Sequence, residues 1–99
     1  YSMMTEPDRL NELTKLVGRM RFAVESGENS IVKEVESDIN ALSEYLPETF
    51  QIHRLLKWAT AVSDESSHIT DLYLKRCFHL SREEYKELGE IEAQISESI

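Results

Sequence analysis

Apolar side chains recur at alternating steps of three and four residues along most of this chain. This spacing places them on one side of an α-helix, and one-sided helices bury that side against each other. The stripes are Leu10, Leu13, Val17, Met20 and Val24; Val32, Val35, Ile39, Leu42 and Leu46; and Leu88, Ile91, Ile95 and Ile99. The pattern therefore predicts an all-α protein, a bundle of amphipathic helices without strands.

Capping residues and a glycine set the limits of the first two predicted helices. Thr5 has the hydroxyl that caps a helix start, and Gly27 supplies a left-handed stop about twenty residues later. Asn29 or Ser30 is expected to cap a second helix that ends near Leu46. The short link at Gly27 predicts an antiparallel hairpin of these two helices.

A fourth stripe stays in phase from Ile52 to Leu80, through a serine-rich patch at residues 63–67. A loop normally resets the phase, and this patch contains neither glycine nor proline. We therefore predict one long third helix over about residues 48–79, roughly 48 Å in length, with one end overhanging its shorter partners. The alternative is a break at 63–67, which gives five helices and places the apolar surface inside the monomer.

Ser81 and Glu84 have the spacing of a capping box, in which each side chain bonds the backbone of the other. This motif predicts a last helix over about residues 82–98. Residues 1–99 are thus expected to form one domain, an antiparallel bundle of four helices, or of five if the third is interrupted. Residues 1–4 are set aside as a partly non-native extension or a disordered N-terminus.

The charge is strongly acidic and unevenly distributed, with 19 acids against 11 bases and a net charge of −8. Residues 28–46 contain five acids and one base, and residues 81–99 contain six acids and two bases. Because an acidic chain repels phosphate backbones and anionic lipids, direct binding to nucleic acid or membrane is not expected. A basic protein is the more natural partner.

The cellular setting is predicted from three features of the sequence. Cys77 is the single cysteine, so no disulfide can form within the chain and a reducing compartment is expected. The chain begins without a basic-then-apolar signal pattern, and no apolar run approaches the roughly 20 residues of a membrane span. These features favour the cytoplasm.

Five apolar residues are candidates for a partner or dimer surface. Leu72, Leu74 and Phe78 fall outside the main stripe near the overhanging end of the long helix, and residues two apart cannot share a helix face. Apolar side chains at an overhanging helix end need to be buried, and we predict that a second copy of the chain buries them in a homodimer. Phe22 lies off the first stripe beside bases, and Trp58 lies at a stripe edge, so either is a candidate anchor.

Catalytic and metal-binding signatures are weak. Glu65 and His68 have the spacing used in di-metal bundles, but such sites need two of these motifs plus further carboxylates, and the chain has one. Cys77 and His79 are two residues apart and face different ways on a helix. No Gly-rich phosphate loop or nucleophile elbow is present. We expect no enzyme activity, no metal and no cofactor.

The function predicted from these features is a small acidic protein–protein interaction module of the adaptor, chaperone-like or regulatory kind. One alternative is an acidic mimic of nucleic acid that inhibits a basic DNA- or RNA-binding protein. That alternative requires one continuous acidic face formed by Glu34, Glu36, Asp38, Glu83, Glu87 and Glu90. A second alternative is a metal- or ligand-binding bundle around Glu65 and His68.

Overall fold

Five α-helices and one short 3-10 helix follow one another in a computed structural model that describes residues 1–99. They are α1 (Glu6–Ser26), α2 (Asn29–Ser43), a 3-10 helix (Glu48–Phe50), α3 (Ile52–Ala59), α4 (Ser66–Ser81) and α5 (Tyr85–Ser98). The all-α prediction is confirmed. The structure has five α-helices, the number expected if residues 63–67 interrupt the third helix.

The limits of α1 agree with the sequence, whereas the start of α2 does not. The backbone N–H of Asp8 donates to Thr5 Oγ1 over 3.3 Å, and Gly27 follows the helix with φ of 71°. By contrast, α2 begins directly at Asn29, after Glu28, and no side chain caps it. The predicted cap at Asn29 or Ser30 was therefore wrong, because both residues already lie inside the helix. The helix also ends at Ser43, where the chain tightens into a turn.

The predicted stripes form one core. Most of their members are buried, including Leu13, Met20, Val35 and Ile39, none of which is exposed. At the centre lies α4, which packs against α1, α3, α5 and the 3-10 helix, while α2 packs against α1 and α3. The arrangement is flat, measuring 38 × 36 × 17 Å.

The long third helix predicted over residues 48–79 is wrong. The 3-10 helix and α3 cover its first part, the link at residues 60–65 is not helical, and α4 covers the rest. Val62 continues the apolar phase in sequence, yet its side chain is 88% exposed. The phase survives because α3 and α4 bury matching stripes in the same core, not because one helix joins them.

Side-chain hydroxyls bond the backbone on both sides of the break. Thr60 Oγ1 donates to the carbonyls of Leu56 and Lys57, over 3.0 and 3.1 Å, directly after the last residue of α3. Ser66 Oγ donates to the Ser63 carbonyl over 2.7 Å, which forms the turn before α4. Hydroxyls that bond the local backbone compete with helix propagation, so this patch breaks the helix without glycine or proline.

Because no helix overhangs, the apolar turns of α4 are covered by the monomer itself. Leu72 is only 2% exposed and belongs to the core, so its assignment to a partner surface was wrong. Leu74 and Phe78 are half-buried and pack against the core. The overhanging helix end that suggested a homodimer is therefore absent.

The capping box predicted at Ser81 is also wrong. Ser81 is the last residue of α4, and α5 begins only at Tyr85 with no side-chain cap. Glu83 has a φ of 58°. Its N–H donates to the Leu80 carbonyl, and the N–H of Glu84 donates to the His79 carbonyl. These are the hydrogen bonds of a Schellman turn. The C-terminal turn of α4 thus occupies the residues that the capping box required.

The N-terminal residues contact the helices. Arg9 donates to the carbonyls of Tyr1, Ser2 and Tyr45 over 3.0, 3.4 and 2.9 Å, and its guanidinium lies 5.3 Å from the Tyr45 ring centre. Residues 1–4 form a turn closed by a bond from the Met4 N–H to the Tyr1 carbonyl. No helix in the fold combines the length and apolar character needed to cross a membrane.

Candidate functional site

Arg21 of α1 holds the end of α3 and the following loop. Its Nη1 donates to the carbonyls of Ala59 and Ala61, each over 2.9 Å, and approaches that of Trp58 at 3.5 Å. These carbonyls are at the negative end of α3, where a cation is favourable. A continuous helix would have needed the same carbonyls for its own N–H groups. Arg21 therefore stabilises the break and ties the α3–α4 loop to α1.

Two large apolar side chains flank this connection and are exposed. Phe22, next to Arg21 on α1, is 69% exposed, and Val62, next to Ala61 in the loop, is 88% exposed. We call Phe22 and Val62 the apolar pair. Because Arg21 bonds the backbone beside Val62, the pair is presented by two segments of fixed relative position. Such exposed apolar groups on an ordered scaffold are typical of protein-binding anchors.

Carboxylates lie close to the apolar pair in sequence. Glu25 is one turn after Arg21, and its Oε1 is 3.6 Å from Arg21 Nη2. Asp64 and Glu65 follow Val62 in the loop and are exposed. Acids thus lie within three residues of each member of the apolar pair in the sequence, and a partner with basic residues would complement them.

Trp58 was predicted to share a surface with Phe22, but it belongs to a different one. Its side chain is half-buried, packs against the core and lines a depression together with Arg54 and Lys57 of α3. The large exposed apolar side chain in the loop that Arg21 binds is instead Val62, which the sequence placed in the stripe of a continuous helix.

The six acids proposed as one face do not form one. Glu34 and Asp38 are one turn apart on α2, but Glu36 is two residues from each and faces the opposite side. Glu83 lies outside α5, in the turn that follows α4. Moreover, α2 packs against α1 and α3, whereas α5 packs against α4. Glu34 is also paired with Arg19 over 3.4 Å.

The candidate metal ligands Glu65 and His68 are both exposed, at the start of α4. No group of three or more His, Cys, Asp or Glu side chains has the geometry to hold a metal ion. The structure therefore adds no further ligand to this pair.

Cys77 and His79 have separate surroundings. Cys77 is fully buried, its Sγ lies 3.4 Å from the Phe50 carbonyl, and burial raises the pKa of its thiol to about 12. His79 Nδ1 lies 3.0 Å from Glu84 Oε1, a contact across the turn after α4 that helical periodicity does not predict. A thiol with a raised pKa is a poor nucleophile, so Cys77 is a packing residue.

Arg21 was missed as a structural residue, although a sequence signal for it exists. It is four residues after Val17 and three before Val24, so it lies on the side of α1 that carries the stripe. Arg76 stands in a comparable position beside Tyr73 and Cys77, and it is 8% exposed. A cation within an apolar stripe indicates a buried partner, but the periodicity does not identify that partner.

Comparisons extend the description no further: no family model, curated protein or solved structure is significantly similar to this chain.

Proposed function

We propose that this chain is a small acidic protein-interaction module, of the adaptor, chaperone-like or regulatory kind, that docks a partner protein on the apolar pair. The observation that carries the proposal is the exposure of Phe22 and Val62 on two segments joined by Arg21. Docking would remove both side chains from water, and each fully buried side chain of this size contributes about 1.5–3 kcal/mol.

The charge favours a basic partner. The chain has a net charge of −8, and Glu25, Asp64 and Glu65 lie near the apolar pair in sequence. Two copies of this chain would repel each other, so a different protein is the better occupant than a homodimer. Long-range attraction would speed association, while the apolar pair would supply affinity that survives salt.

The scaffold of this proposal is an antiparallel bundle. Two residues, Gly27 and Glu28, separate α1 from α2, and the two helices pack against each other. A link of this length returns the second helix alongside the first. The arrangement supports a rigid display of Phe22, because α1 is held by α2, α3 and α4.

The experiment is a comparative capture from native lysate with three tagged proteins. They are the wild type, the double variant Phe22→Ser/Val62→Ser, and the control Tyr85→Ser. Tyr85 is 63% exposed and starts α5, beyond the opposite end of α4 from Val62. Bound proteins are quantified by mass spectrometry after low- and high-salt washes.

The proposal expects a stoichiometric protein that the wild type and Tyr85→Ser retain at high salt and the double variant loses. Equal retention by all three proteins would refute docking on the apolar pair. Release of every bound protein by salt alone would also count against docking on the apolar pair, because an apolar contact survives salt. Sedimentation of the wild type and of the double variant at high concentration tests the homodimer directly. Dimers that persist in the double variant must use a surface other than the apolar pair.

A further inference from the structure

Three basic side chains line one groove of this acidic protein, together with one carboxylate, that of Glu92. Arg54 and Lys57 of α3 and Arg76 of α4 line two adjoining depressions, which share Arg54 and Tyr73. The chain contains three ion pairs within 4.0 Å, and none of them involves these residues. Only Arg19 and Arg21 among the 11 lysines and arginines pair with an acid, so what distinguishes these three bases is that they line one groove.

Arg76 is the most informative of the three, because it is only 8% exposed. Its Nη1 donates to the Thr49 carbonyl over 2.6 Å, and no other acceptor within the chain receives a hydrogen bond from its side chain. A guanidinium has five N–H donors in a planar fork that matches carboxylate and phosphate oxygens. The only buried side-chain nitrogen without a partner in the chain is Arg21 Nε, so the remaining nitrogens of the Arg76 fork are open to solvent and can donate to an oxyanion in the groove.

The groove has room for such a group. The depression lined by Arg76, Arg54, Gln51 and Ser96 has a volume of about 140 Å³, several times the roughly 30 Å³ that one water occupies in the liquid. The Thr49 bond fixes one edge of the Arg76 fork. Arg54, which is exposed and makes no side-chain hydrogen bond, is free to close on a ligand from α3.

The second depression gives the ligand an apolar part. It has a volume of about 290 Å³ and is lined by Trp58, Tyr73 and Ile99 in addition to Arg54 and Lys57. Aromatic side chains beside cations suit a molecule with a charged head and a flat or aliphatic body. The groove thus has the buried guanidinium of Arg76 at one end and the indole of Trp58 at the other.

We propose that the α3–α4–α5 groove binds a small organic oxyanion, with its carboxylate or phosphate group against Arg76 and Arg54 and its apolar body beside Trp58. Glu92 of α5 lines the charged end and opposes the anion, so it limits affinity in this site. The site is independent of the apolar pair and of the proposed partner protein.

The test uses benzoate and phenyl phosphate as probes of the two head groups, with benzyl alcohol as the neutral control and chloride to match ionic strength. Binding is followed by calorimetry and by the NMR signals of the arginine Nε–H groups. Arg54→Gln removes one of the two arginines proposed to bind the anion, at an exposed position. Arg82→Gln is the matched control, because it makes the same charge change at an exposed position in the turn after α4. Glu92→Gln removes the opposing carboxylate.

We expect at least one anion to bind and to shift an arginine signal that Arg76→Gln removes. Arg54→Gln should weaken its binding about tenfold or more, since a charge-assisted hydrogen bond is lost. Arg82→Gln should leave it unchanged, and Glu92→Gln should strengthen it. The relative affinity of the two probes identifies the preferred head group. Binding no tighter than that of benzyl alcohol, or equal weakening by Arg54→Gln and Arg82→Gln, would overturn the proposal.

Discussion

Arg21 Nη1 and the carbonyl oxygen of Ala61 lie 2.9 Å apart, although 40 residues separate them in the chain. This hydrogen bond joins the last turns of α1 to the loop after α3, and the same nitrogen also bonds the Ala59 carbonyl. The guanidinium therefore binds the carbonyls at the end of α3 and links the segment that contains Phe22 to the segment that contains Val62.

Replacing Arg21 by methionine should lower the free energy of unfolding by about 2–4 kcal/mol. The variant leaves partly buried carbonyls without their charged donor, and bonds of this kind are the stronger ones in proteins. Arg19→Met is the matched control, because Arg19 has one exposed contact, to Glu34, and should cost less than about 1 kcal/mol. Urea unfolding of both variants measures the difference, and equal costs would show that the Arg21 contacts do not stabilise the loop.

Glycine at position 83 should stabilise the protein, although glycine normally weakens helical proteins. Glu83 has a φ of 58° in the turn after α4, the same position that Gly27 occupies after α1. Relief of left-handed strain, about 1–2 kcal/mol, exceeds the 0.5–1 kcal/mol entropic cost of glycine, so Glu83→Gly should gain up to about 1 kcal/mol.

The control for position 83 is the same substitution inside a helix. Glu87 is exposed in the first turns of α5, and Glu87→Gly should lose up to about 1 kcal/mol. Thermal unfolding of both variants is expected to give shifts of opposite sign. A loss of stability in both would mean that residue 83 is not held in the left-handed conformation.

Cys77 should make stability fall as the pH rises above 9. Burial raises the pKa of its thiol from 9.0 to about 12. The unfolded chain loses the thiol proton first, so between these two values it binds fewer protons than the folded chain. The free energy of unfolding then falls by about 1.4 kcal/mol per pH unit. Below pH 9 both states keep the proton, and the thiol makes no pH-dependent contribution.

The measurement compares the wild type with Cys77→Ser between pH 8 and 10.5, because other groups titrate in this range as well. The contribution of Cys77 at each pH is the difference between the free energies of unfolding of the two proteins. The free energy of unfolding of the variant should fall less as the pH rises. Parallel pH profiles would contradict the burial of the thiol. A disulfide reagent should correspondingly react with the wild type only after addition of denaturant.

Ser81 should be energetically coupled to Glu6 and not to Glu84. Ser81 Oγ donates to Glu6 Oε1 over 2.6 Å, which links the end of α4 to the start of α1. A double-mutant cycle of Ser81→Ala with Glu6→Gln should give a coupling of about 1 kcal/mol, as a bond to a charged acceptor does. The corresponding cycle with Glu84→Gln should give none, and the reverse result would restore the capping box.

Helical class, the extent of the first helix and most of the core followed from the sequence, because they depend on local rules. Apolar spacing at 3.6 residues per turn identifies buried positions such as Leu13 and Ile39 whatever they pack against. A capping threonine and a glycine in the left-handed region act within a few residues of themselves, so Thr5 and Gly27 were interpreted correctly.

The break between α3 and α4 and the end of α4 combine local hydrogen bonds with contacts that no local pattern contains. Arg21 takes the carbonyls of a segment 37 to 40 residues away, and Ser81 bonds a glutamate 75 residues earlier. The same is true of the groove, since Arg54 and Arg76 come together only when α3 packs on α4. Periodicity specifies which side of each helix is buried, whereas the packing of distant segments adds hydrogen bonds at the helix ends and brings the cations of the groove together.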